Sequence, residues 1–122
     1  MERFVPRLTA QQVTEKLEAG EDPMIIDLRP HPARQEHPGI PGSLPLSIDE
    51  VIARHQDLPR DRDVILYCAC PRDAASVQAA WRLRDKGFTR AWPLEGGIEA
   101  WHAVSLKNAA ATRVTAGQAI TV

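Results

Sequence analysis

Two short apolar runs, Met24-Ile25-Ile26-Asp27-Leu28 and Val64-Ile65-Leu66-Tyr67-Cys68, place the tightest limit on the fold of this chain. A strand with one face in water alternates apolar and polar residues, so near-continuous runs of this length predict strands buried on both faces. Helical patterns separate the runs. Strands and helices in alternation predict an α/β fold: a single three-layer domain with a central parallel sheet flanked by helices.

The remaining punctuation fits that order. Thr9-Ala10-Gln11-Gln12 reads as a capping box for an opening helix, with Val13 and Leu17 as its apolar stripe and Gly20 as its stop. Residues 29–45 hold five of the ten prolines together with Gly39 and Gly42, which predicts a long stiff loop without helix or ladder strand. Ser47-Ile48-Asp49-Glu50 is a second capping box, opening a short helix that runs to about His55. Over 74–86, Val77, Ala80, Trp81 and Leu83 recur at helical spacing, and Gly87 ends the pattern. Ala91-Trp92-Pro93-Leu94 suits a further strand, Gly96-Gly97 a turn, and 98–104 a last helix with Trp101 facing inward. The domain is therefore expected over 8–104, while the Ala/Thr-rich tail, 105–122, is assigned no structure.

Charge and composition exclude several classes. At 122 residues the chain is one domain in size. A net charge of -1 and a pI near 6.4 offer no field for nucleic acid or an anionic membrane. No apolar run approaches the roughly 20 residues that span a bilayer, and the first residues lack the apolar core of a signal peptide. A cytoplasmic location without membrane contact is the expectation. His31, His37, His55 and His102 are scattered without ligand spacing, and they are expected to be solvated. Two thiolates without a third ligand make a poor metal site.

With only two cysteines, one residue apart, a disulfide framework is ruled out and chemistry becomes the better explanation. Cys68 and Cys70 fall between a strand and a helix N-terminus, at the edge where open α/β sheets bind ligands. A helix N-terminus stabilises a thiolate, the nucleophilic form of a cysteine. Arg72 would add positive charge for an anion, and Asp73 would oppose it.

Four segments in order make the chain resemble the rhodanese-like domain family. Ile26-Asp27-Leu28-Arg29 is similar to the family's Asp-x-Arg strand end, and Gly39-Ile40-Pro41-Gly42-Ser43 to its His-Ile-Pro-Gly-Ala turn. Leu66-Tyr67-Cys68 resembles the strand that delivers the catalytic cysteine. Gly87-Phe88 and Leu94-Glu95-Gly96-Gly97-Ile98-Glu99-Ala100-Trp101 are similar to the C-terminal signature. The resemblance implies a sulfurtransferase in which a cysteine takes sulfane sulfur from a small anionic donor, thiosulfate or a persulfide. It passes the sulfur to a thiol, which a protein could carry, or to cyanide, and it needs neither metal nor organic cofactor.

By this resemblance Cys68 is the nucleophile, with Cys70 as the alternative or the resolving cysteine. Ala69, Cys70, Pro71, Arg72, Asp73 and Ala74 form the substrate-binding loop, and Asp27 and Arg29 lend structural support by bonding backbone groups of neighbouring loops. The family's usual Cys-x-x-Gly-x-Arg-Ser loop is altered: counted from Cys68, Pro71 stands at the glycine and Asp73 at the arginine. Counted from Cys70, Ser76 falls on the family's serine. Members with a Tyr-Cys-x-Cys-Pro segment, some appended to integral membrane proteins, are most similar, so a longer membrane-attached polypeptide is one expectation. A non-catalytic binding module is the alternative function. A cysteine phosphatase or arsenate reductase ranks lower, because Ala74 and Ala75 stand where its arginine would be.

Overall fold

Ile25, Ile65 and Tyr67 point to one side of a sheet, Ile26, Val64 and Leu66 to the other, and none is more than 5% exposed. This pattern, buried on both faces, is the one the apolar runs predict. The computed structural model describes residues 5–69 and 71–107. Its elements are α1 (Ala10–Glu18), β1 (Met24–Asp27), α2 (His31–Glu36), β2 (Leu44–Pro45), α3 (Ile48–Ala53), β3 (Val64–Tyr67), α4 (Ala74–Asp85) and β4 (Ala91–Pro93). A last helix, α5, covers 97–107.

The four strands are parallel in the order β2-β1-β3-β4. On one face, Val51 of α3 and Ala79, Ala80 and Leu83 of α4 pack against Ile26, Val64 and Leu66. On the other, Val13 of α1 and Ile98 of α5 pack against Ile25, Ile65 and Tyr67, with Trp92, Trp101 and Val104 partly buried beside them. The three-layer α/β domain is therefore as expected. Both capping boxes form, Thr9 with Gln12 and Ser47 with Glu50, so each helix starts where a side chain satisfies its first free N–H groups.

Two local expectations need correction. Residues 29–45 do contain a helix and a strand. Pro32 sits in the first turn of α2, where its missing N–H costs no helical bond. Pro45 lies in the two-residue edge strand β2, where its outer side faces no ladder. Leu17 is not core: it is 38% exposed, and only Ala10 and Val13 of α1 are buried. Val5, ahead of the expected domain, is buried at 6% exposure, and α5 continues through residue 107 with Leu106 exposed. The rest of the expected tail lies outside the described residues.

Candidate active site

β3 carries the chain to the C-terminal edge of the sheet, and the next residue, Cys68, is only 1% exposed there. Its carbonyl accepts the Ile98 N–H at 3.2 Å, which ties the strand end to α5. Gly97 sits against that carbonyl at φ 58, and a Cβ would overlap it, so no other residue fits. The thiol points at the first turn of α4: Cys68 Sγ donates to Ser76 Oγ at 3.8 Å, and the Ser76 hydroxyl donates to the Asp73 carbonyl at 3.0 Å. A sulfur anion formed here would face the positive end of a 12-residue helix.

The loop between Cys68 and α4 is unusual. Arg72 and Asp73 both have left-handed backbones, at φ 57 and 59, although neither is glycine. L-residues adopt this region singly and at a cost. Ala69, Arg72 and Ala74 are exposed, Pro71 begins a single 3-10 turn, and Cys70 lies outside the described residues.

Asp73 departs from its expected place among substrate-binding side chains. It is 4% exposed, and its Oδ2 accepts Arg7 Nη1 at 2.7 Å and the Gly96 N–H at 3.1 Å. Its carboxylate is thus committed to an ion pair and a backbone donor, and Arg7 offsets the charge expected to oppose an anion.

Asp27 and Arg29 also differ in detail from expectation, because they bond each other more than the loops around them. Asp27 Oδ1 accepts Arg29 Nε at 3.0 Å and the Arg29 backbone N–H at 2.9 Å, while Oδ2 accepts Nη2 at 2.9 Å. Burial pushes the Asp27 carboxyl up, but the bonds from Arg29 outweigh it and hold its pKa below the ordinary value. Beside the pair, the Tyr67 hydroxyl accepts the Ile40 N–H at 3.0 Å and shares a hydrogen bond with Ser43 at 3.0 Å. Burial keeps the Tyr67 phenol above its usual pKa. A Cβ on Gly39 would come within 3.0 Å of both Arg29 Nη2 and Asp27 Oδ2. The pair and Tyr67 together therefore fasten the turn that follows Gly39.

A cavity of about 300 Å³ adjoins this edge, lined among others by Leu28, Arg34, Ile48, Glu50 and Ala75. Leu28 donates its N–H to the Tyr67 carbonyl at 2.9 Å, and Ala75 precedes Ser76, so the cavity borders the immediate neighbours of Cys68. It combines apolar walls with two arginines, Arg29 and Arg34, and one carboxylate, Glu50, which suits a small polar ligand. Among the described residues, no group of three or more His, Cys, Asp or Glu could hold a metal ion. No helix among them is long and apolar enough to cross a membrane. His31 and His37 are exposed as expected, whereas His55 and His102 are half-buried, with ring nitrogens 2.9 Å from the Ile52 carbonyl and 3.1 Å from the Pro38 carbonyl.

The profile of the rhodanese-like domain family matches residues 9–104. The chain belongs to this family. Among curated proteins, it is 34% identical over 98 residues to a sulfurtransferase of Allochromatium vinosum, spanning 80% of this chain and 89% of that protein. It is 30% identical over 99 residues to an HTH-type transcriptional regulator of Mycobacterium tuberculosis, a match covering 81% of this chain and 42% of the regulator. Among solved structures, a rhodanese-like domain from Anabaena superposes with a TM-score of 0.69 at 30% identity, covering 83% of this chain and 76% of that one.

Two residues of this rhodanese-like domain that touch the loop lie outside the site residues expected from the sequence. Arg7 meets Asp73 across 66 positions, and nothing local to Arg7 points there. Ser76 was visible only as a position counted from Cys70, yet the structure sets it against Cys68.

Proposed function

We propose that this rhodanese-like domain is a sulfurtransferase that carries sulfane sulfur as a persulfide on Cys68. The observation that carries this reading is the thiol at the end of β3, held against the first turn of α4, in a chain 34% identical to a sulfurtransferase. The Cys68 thiolate attacks the outer sulfur of thiosulfate, or the terminal sulfur of a persulfide. The sulfur–sulfur bond breaks, and its electron pair departs with sulfite or with the donor thiolate. An acceptor thiol, or cyanide, then attacks the carried sulfur and releases Cys68 as thiolate. Loop N–H groups around Cys68 and the exposed Arg72 would hold the anionic donor, and the cavity beside Ala75 would hold the acceptor. Cys70, close in sequence, is the alternative carrier or a resolving thiol.

One observation favours a second reading, that of a binding module without turnover: at 1% exposure, Cys68 meets a donor only when its covering atoms part. The two readings separate in one experiment. Incubation with thiosulfate is followed by intact-protein mass spectrometry and by thiocyanate release from cyanide. The sulfurtransferase reading expects one added sulfur and thiocyanate. The module reading expects neither, with a protein persulfide as donor no more effective than thiosulfate.

A further inference from the structure

Asp73 brings a buried carboxylate into the loop that follows Cys68. Its carbonyl is joined through the Ser76 hydroxyl to Cys68 Sγ, by contacts of 3.0 and 3.8 Å. Its Oδ1 lies near Gly97, on which the Cys68 carbonyl also packs. A carboxylate in the loop that follows the thiol opposes a further negative charge there unless it is neutralised. The neutralising group is Arg7, from the segment ahead of α1, 2.7 Å from Oδ2. The other charges around the sulfur do not replace it. Asp27 and Arg29 cancel each other at the end of β1, Arg34 and Glu50 line the adjoining cavity, and Arg72 is exposed. The Arg7–Asp73 contact also anchors a loop whose two left-handed residues have no glycine to ease them.

We infer that Arg7 is a positioning residue of the sulfur-carrying site: it pins Asp73, and with it the strained loop, and cancels a charge that would otherwise oppose the anion formed at Cys68. The inference rests on the reading of Cys68 as the carrier.

The test is the pH dependence of Cys68 alkylation by iodoacetamide in the full chain, with the modified residue assigned by fragmentation mass spectrometry. In Arg7→Gln the carboxylate is left unpaired, so the midpoint of the profile moves up by about one pH unit and alkylation at neutral pH slows about tenfold. Asp73→Asn moves the midpoint down, Arg7→Lys stays close to wild type, and Arg7→Gln/Asp73→Asn returns towards it. A purely structural contact would move the two single variants in the same direction. Should Arg7→Gln fail to fold, Asp73→Asn and the double variant still decide the sign. An unmoved midpoint, or shifts of equal sign, overturns the inference while leaving persulfide formation at Cys68 intact. A wild-type Cys68 that neither alkylates nor gains sulfur overturns the inference and the carrier reading together.

Discussion

Cys68 Sγ lies 3.8 Å from Ser76 Oγ, and in this arrangement the serine hydroxyl gives its proton to the Asp73 carbonyl. A hydroxyl is a rotor that both donates and accepts, so Ser76 can receive the thiol proton's hydrogen bond and then turn to donate to the sulfur once it is charged. Ser76→Ala removes that donor from a fully buried position at a cost to stability of about 1 kcal/mol. The expected result is a folded protein whose persulfide forms roughly tenfold more slowly, a loss of about 1.4 kcal/mol in transition-state stabilisation. Single-turnover mass spectrometry measures it, and a rate equal to wild type would remove Ser76 from the site.

The Asp27–Arg29 pair predicts a stability effect. Both residues are 3% exposed, so Asp27→Ala leaves a guanidinium buried without its partner. Breaking such a pair costs about 3–5 kcal/mol. Urea unfolding should show a midpoint lowered accordingly, and the double variant Asp27→Ala/Arg29→Met should recover part of the loss. A midpoint unchanged in Asp27→Ala would mean that the pair contributes nothing.

Asp63 sets an acid limit on stability. It is 3% exposed immediately ahead of β3, with Arg90 Nε and Trp92 Nε1 at 2.9 and 2.8 Å from Oδ1 and Lys16 Nζ 3.0 Å from Oδ2. Burial pushes its carboxyl up, but those bonds prevail and bring it from 3.8 to about 2. A folded-state value below the unfolded one contributes stability that is fully present above 3.8 and is lost as pH falls through about 2. The shift corresponds to about 2 kcal/mol. Thermal unfolding between pH 6 and 2 should therefore lose less in Asp63→Asn than in wild type, and parallel curves would refute the assignment.

Most of the fold was legible because its signals are local. The capping boxes at Thr9 and Ser47, the stop at Gly87 and the twin apolar runs each act within a few residues, and the structure places each element close to where they put it. The proline-rich stretch misled because proline is tolerated where its missing N–H has no partner to lose, as at Pro32 and Pro45. The site was less legible. Cys68 could be placed from its strand, but the inward turn of Asp73 depends on two left-handed residues and on an arginine distant in sequence. No local pattern encodes that contact.

The central claim is that Cys68 carries the sulfur. Wild type, Cys68→Ser and Cys70→Ser, each incubated with thiosulfate and weighed by intact-protein mass spectrometry, test it most directly. The account predicts one added sulfur on wild type, placed on Cys68 by fragmentation, and none on Cys68→Ser. An added sulfur that persists in Cys68→Ser and vanishes in Cys70→Ser would contradict it and assign the sulfur to Cys70.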